Sequence, residues 1–225
     1  MTPDQALTQL RALAQPGRDV EMAAYHKIDR PYLGVANPDT NDLVKAWRKV
    51  LSVEDRVGLA DALWATNIFE ARLAGAKLLT QARLRPDQDA WKLIASWGPD
   101  FDSWAIADHA AIAGQKRLVA DPTRLDEVET WTTSDSIWTR RATLVFTLPW
   151  TKQNHPKADE IAIRERVLGW AGTYVQDPDW FIQKAVAWWL RDLSKHDAPR
   201  VREFLALYGE QMKPFARKEA SKHLT

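Results

Sequence analysis

Pro178-Asp179-Trp180-Phe181-Ile182-Gln183-Lys184-Ala185-Val186-Ala187-Trp188-Trp189-Leu190-Arg191-Asp192-Leu193 is the stretch whose reading decides the fold. A proline and an aspartate at its start suit a helix N-terminus. At about 100° per residue Ile182, Val186, Trp189 and Leu193 share one stripe, which is the expected core face. Trp180, Lys184, Trp188 and Arg191 fall roughly opposite, where an ordinary amphipathic helix carries only charged or small polar groups. Two readings fit that second face. In one the helix is buried on both sides and its indoles pack against neighbours. In the other it is a binding surface, because indoles set between cations suit the sugars, bases and phosphates of nucleic acid.

Working outward, the same helical period recurs and no alternating strand pattern appears. Helices are expected at 3–15, 22–30, 39–51, 53–65, 68–83, 87–97, 101–115, 121–131, 135–148, 159–175, 178–193, 197–207 and 214–223. Pro16-Gly17, the Pro31 to Pro38 loop and Arg85-Pro86-Asp87 punctuate them. Tryptophan-bearing helix starts return at Trp104, Trp138 and Trp180, spacings of 34 and 42 residues. That interval matches helix-pair repeats of the HEAT type. The expectation is therefore an all-α chain, one repeat domain over 1–225, curved into an α-solenoid with every second helix lining a concave groove, DNA-binding if the second reading of the Trp180–Lys184–Trp188–Arg191 face holds.

Composition narrows the function. The 225 residues suffice for a substantial core, and with no cysteine there are no disulfides, thiolate metal sites or cysteine nucleophiles. No basic start followed by an apolar run lies near Met1, and nowhere do about 18 apolar residues run together. A cytoplasmic, membrane-free monomer is expected. The net charge of +1 hides an uneven spread: 12 basic and 12 acidic side chains in 1–90, 10 and 13 in 91–179, 9 and 5 in 180–225. Twelve tryptophans are scattered through every section.

Two further constellations stand out. Trp104 and Asp108, four apart, share a helix face with Ala111 and Gln115. Taken alone, Asp108 reads as a surface charge or a structural ion pair. Arg141 falls on the apolar stripe of Ile137, Leu144 and Leu148. A guanidinium buried there requires an anionic partner, and Asp108 and a phosphate both qualify. There is no glycine-rich phosphate loop, no HExxH, no GxSxG and no histidine pair at ligand spacing among His26, His109, His155, His196 and His223, so no metal or cofactor is expected. Each histidine reads as solvated or structural. Lys184 reads as a phosphate contact in preference to a Schiff-base nucleophile.

Four short markers occur in order: Tyr25-His26-Lys27 followed by Tyr32-Leu33-Gly34; Trp104 with Asp108; Trp138-Thr139-Arg140-Arg141; and Trp180-Phe181-Ile182-Gln183-Lys184-Ala185 with Trp188 and Arg191. Through them the chain, from about Ala24 to Lys222, resembles the AlkD-type DNA glycosylases, helical-repeat enzymes of alkylation repair. The resemblance implies hydrolysis of the N-glycosidic bond of cationic alkylated purines, N3-methyladenine and N7-methylguanine, in double-stranded DNA, without metal or organic cofactor. It implies a catalytic cluster of Trp104, Asp108, Arg141 and Trp188, and DNA contacts by Tyr25, Lys27, Arg140, Trp180, Phe181, Lys184 and Arg191. The sequence departs from that pattern at Ala105, where an acidic residue is common, and at Trp180, where phenylalanine is common. Two other functions fit the sequence: a non-catalytic repeat protein that recognises flexible or branched DNA, and a helical scaffold that binds protein.

Overall fold

The computed structural model describes residues 1–224. The chain is all-α, with thirteen α-helices and no strand among the described residues. It divides into two compact units, Met1–Ala120 and the residues from Asp121 onward.

The first unit holds α1 (Pro3–Arg11), α2 (Arg18–His26), α3 (Asn37–Val50), α4 (Val53–Ala65), α5 (Phe69–Leu78), α6 (Gln88–Ser96) and α7 (Trp104–Ala120). Within it α3, α5 and α7 lie side by side, and α4 pairs with α5 as α6 pairs with α7. The central helix, α5, is buried along its length except at Lys77, because Ala71, Ala74, Gly75 and Ala76 let its neighbours approach closely. Gly75 is required there: a Cβ would stand 2.9 Å from the Ala60 carbonyl oxygen of α4.

The second unit holds α8 (Leu125–Thr130), α9 (Ile137–Phe146), α10 (Ala158–Tyr174), α11 (Trp180–Ser194), α12 (Ala198–Tyr208) and α13 (Pro214–Ala220). Here α11 packs between α9 and α13, with α10 and α12 also against it. Its expected core stripe is the observed one: Ile182, Val186, Trp189 and Leu193 are fully buried. At about 1.5–3 kcal/mol for each large side chain removed from water, this stripe is a main source of the unit's cohesion. In both units every second helix forms one layer, as expected for helix-pair repeats.

Thirteen helices are expected and thirteen occur among the described residues, but several ends move. The first stops at Arg11 instead of Gln15, whose N–H donates to the Gly34 carbonyl at 3.0 Å. The second runs over Arg18–His26 instead of 22–30, since Lys27 turns left-handed at φ 56° and closes it. The fifth ends at Leu78, short of 83. The seventh begins at Trp104 rather than 101, because Ser103 caps it by accepting from the Ile106 N–H at 3.3 Å, and it extends to Ala120. In α11 Asp179 is the cap, its carboxylate accepting from the Phe181 and Ile182 N–H groups at 2.7 and 3.3 Å. No helix is long and apolar enough to cross a membrane.

Seven tryptophans are buried and serve as core: Trp47, Trp64, Trp91, Trp97, Trp150, Trp170 and Trp189. The other five, Trp104, Trp131, Trp138, Trp180 and Trp188, keep part of their surface in solvent.

Candidate functional site

In the first unit Trp104 opens α7 and stands over an aromatic nest. Its ring lies 6.2 Å from Tyr25, edge to face, and 5.9 Å from His26. His26 in turn packs on Phe69 at 4.4 Å and parallel to Tyr32 at 5.8 Å. The end of α2 and the following loop are thereby fixed against α5. Burial holds the His26 imidazole below its ordinary pKa, so it is a neutral packing ring at pH 7.

The loop is fixed by a residue that periodicity gave no reason to single out. Glu70 of α5 is fully buried, and its carboxylate accepts from the backbone N–H groups of Leu33, Gly34 and Val35 at 2.9, 2.7 and 3.1 Å. Gly34 must be glycine, with φ of +78° and a Cβ position 2.9 Å from the Asp19 nitrogen. An ion pair between buried Arg30 and Asp102 ties the same loop to the segment that leads into α7. Asp108, one turn beyond Trp104, is half-buried. Tyr25 is 70% exposed and Lys27 is exposed beside it, where both are available to a large ligand.

In the second unit Arg141 is 5% exposed. Its Nη1 donates to the Phe181 carbonyl at 3.0 Å, and its guanidinium lies 6.0 Å from the centre of the Trp188 ring. The Trp188 indole N–H donates to Asp192 at 3.1 Å, so the ring is held from two sides. Phe181 packs against Trp138 at 4.6 Å and against Trp180 at 5.0 Å. Trp180, 49% exposed, stacks on Phe215 of α13.

The basic residues Arg140, Lys184 and Arg191 of this unit are engaged. Lys184 and Arg191 both pair with Glu219 of α13, so the three together carry a net charge of +1. Arg140 bridges to Asp177 at 3.1 Å and donates to the Ser134 and Asp135 carbonyls, which makes it a clamp on the loops before α9 and α11. Gln183, 1% exposed, donates to the Tyr174, Val175 and Asp177 carbonyls and accepts from the Lys213 N–H. This amide sets the angle at which α11 leaves its loop. Sequence reading missed Glu70, Gln183, Asp192 and Glu219. For Glu70, Gln183 and Asp192 the signal was a polar residue inside an otherwise apolar helix, and for Glu219 in the charged α13 there was none.

The first unit thus offers a carboxylate beside a solvent-accessible indole, and the second a guanidinium fixed against another indole. Among the described residues no three acidic or histidine side chains are placed to share a metal ion.

No curated protein matches the chain. Among solved structures it is similar to one described as a predicted DNA alkylation repair enzyme from Enterococcus faecalis, with TM-score 0.78 and 20% identity over 94% of this chain and 97% of that one. It is also similar to AlkD2 from Streptococcus mutans, with TM-score 0.66 and 16% identity over 99% and 97% of the two chains. These likenesses establish the helical-repeat fold. Residues 6–224 match the family described as DNA alkylation repair enzyme, and with nearly the whole length covered the chain belongs to that family.

Proposed function

We propose that the protein is a monofunctional DNA glycosylase that hydrolyses the N-glycosidic bond of cationic alkylated purines, N3-methyladenine and N7-methylguanine, in duplex DNA. The observation that carries this reading is the pairing of Trp104 and Asp108 on one face of α7, with the indole accessible and seated on the Tyr25–His26 nest.

The chemistry accounts for the residue types. An N-alkylated purine is already a cation and leaves without protonation by a strong acid. As the C1′–N bond breaks, its electron pair returns to the purine and neutralises it, while the sugar gains oxocarbenium character. Asp108 stabilises that charge and positions water, whose oxygen bonds to C1′ and whose proton passes to the carboxylate or to solvent. The ring faces of Trp104 and Trp188 present negative quadrupoles to the developing cation. Arg141 holds backbone phosphate, and Tyr25, Lys27, Trp180 and Phe181 extend the contact. Because Lys184 and Arg191 share Glu219, their joint attraction for phosphate is that of about one cation.

The test is release of free base from a methylated duplex. Asp108→Asn is expected to bind DNA nearly as well as the unaltered protein and to release N7-methylguanine at least about tenfold more slowly in single turnover. Arg141→Ala is expected to weaken both binding and rate. Equal release by Asp108→Asn would sink the enzymatic assignment. Duplex binding without any release by the unaltered protein would make it a DNA-binding relative.

A further inference from the structure

A second cluster, which the reaction above does not use, lies where α3, α5 and α7 run side by side. It is a cavity of about 270 Å³ lined by Asn41, Lys45 and Arg48 of α3, Lys77 of α5, Thr80 just beyond it, and His109 of α7. Three cations line it and no carboxylate does. Lys45 is paired outside the cavity with Asp42 at 2.9 Å, both well exposed. Arg48 and Lys77 have only neutral partners: Arg48 Nη1 donates to the Thr80 hydroxyl at 3.1 Å, and Lys77 Nζ to the Asn41 side-chain oxygen at 2.6 Å.

That is unusual within this molecule. Several arginines elsewhere face carboxylates, as Arg30 does Asp102, Arg117 does Asp87 and Arg164 does Asp197. Lys77 is moreover the one residue of α5 that is not buried, so a helix otherwise wholly in the core turns an ammonium into this cavity. Holding the cations together is unfavourable without a counter-charge. Burial and the nearby Arg48 push the Lys77 ammonium down to about 8, and burial and Lys77 push His109 down to about 4. His109 donates from Nδ1 to the Ala105 carbonyl at 2.7 Å, so its Nε2 can donate to an anion once the ring is protonated.

We propose that this cavity is an anion site for a phosphate group, held by Lys77 and Arg48 with Asn41, Thr80 and His109 around it. On the repair reading, on which this assignment rests, the group is one backbone phosphate of the bound duplex. His109 follows Asp108 directly on α7, so this phosphate would lie beside the face that carries the reaction. An ammonium and a guanidinium with the Asn41 amide match phosphate oxygens, and cations whose internal partners are all neutral have none of their charge offset within the protein.

The experiment has two arms on the full chain, comparing the unaltered protein with Arg48→Met, Lys77→Met and the double variant; thermal unfolding confirms that each folds. In the first arm inorganic phosphate is titrated while the His109 ring is followed by NMR. The expected result is a saturable shift, with His109 titrating at higher pH once phosphate is bound, and loss of both in the double variant. In the second arm binding to unmodified duplex is measured against salt. The slope of log affinity on log salt is expected to fall by about one per cation removed.

A His109 response with an unaltered salt slope would overturn the DNA assignment and leave a site for free phosphate. No response in either arm would overturn the site altogether, while base release by the same preparations would leave the repair reading standing. If the unaltered protein binds no DNA, the repair reading fails and the His109 arm alone decides the anion site.

Discussion

The indole N–H of Trp188 donates to the Asp192 carboxylate at 3.1 Å, one turn further along α11, while the Arg141 guanidinium lies against the same ring. Asp192 is 8% exposed and also faces Lys195 at 3.2 Å and Arg191 at 3.5 Å. Its carboxylate, set between two cations, thereby fixes the rotation of the indole. Asp192→Ala is expected to slow single-turnover base release about three- to tenfold, with duplex affinity changed less than twofold. If the effect runs through the indole, Asp192→Ala should add little in a Trp188→Phe background, because residues that act as a unit are not additive. Full additivity in that double-mutant cycle would show that Asp192 acts by another route.

Glu70 allows a sharper test of how the Tyr25–Trp104 nest is built. Its two oxygens accept three backbone N–H groups in a fully buried site. In Glu70→Gln one oxygen becomes an NH₂ that points at backbone donors, which leaves buried groups unpaired. The expected cost is about 2–3 kcal/mol, read as a lower urea midpoint with unchanged slope. Loss of the Tyr32–His26 packing should accompany it in the ring resonances. A cost below about 0.5 kcal/mol would mean that the loop holds itself.

What could be read from the sequence follows from the range of each interaction. Periodicity is local, so Ile182, Val186, Trp189 and Leu193 were placed on the core face correctly. So was the alternation of helix layers. Helix ends were less legible because they depend on single caps: Lys27 turning left-handed and Ser103 accepting the Ile106 N–H each moved a boundary by three or four residues. The second face of α11 could not be resolved from the helix alone, since the partner of Lys184 and Arg191 is Glu219, 35 and 28 residues away. Glu70 meets Gly34 across 36 residues. A buried carboxylate in an alanine-rich helix is visible in the sequence, but its partners are backbone groups and leave no residue pattern to find. Trp104, Asp108, Arg141 and Trp188 were singled out in advance. Their settings, the aromatic nest and the Asp192 contact, came only with the coordinates.

Two half-buried bases around the α3–α5–α7 cavity make stability depend on pH in separate windows. His109 titrates near 4 in the folded chain, below its ordinary 6.5. As pH falls through that window the unfolded chain takes up the proton first, so stability falls, by at most about 3 kcal/mol, and levels off below 4. Lys77 titrates near 8, below its ordinary 10.5. Between those values the unfolded chain again holds more protons, so this contribution makes stability rise with pH. Urea unfolding at pH 7, 5.5 and 4.5 should show the acid loss, reduced in His109→Gln. At pH 7 Lys77→Met should be at least as stable as the unaltered protein, with the advantage shrinking by pH 10. Destabilisation at pH 7 would mean that the ammonium has a favourable partner.

Two helical glycines should respond to alanine with opposite signs. Alanine gains up to about 1 kcal/mol over glycine inside a helix. At Gly58, exposed in α4, an added Cβ meets nothing within 4 Å, so Gly58→Ala should stabilise by about 0.5–1 kcal/mol. At Gly75 the same Cβ would come within 2.9 Å of the Ala60 carbonyl oxygen, and a backbone atom in a packed helix cannot swing aside. Overpacking of that kind costs about 1–3 kcal/mol, which outweighs the helix-forming gain, so Gly75→Ala should be net destabilising. Because α5 is the central helix of the first unit, the shift it forces should also reach Phe69 and through it the His26–Trp104 contact. Thermal unfolding of the two variants side by side checks the sign, and stabilisation by Gly75→Ala would show that α4 and α5 are free to separate at that crossing.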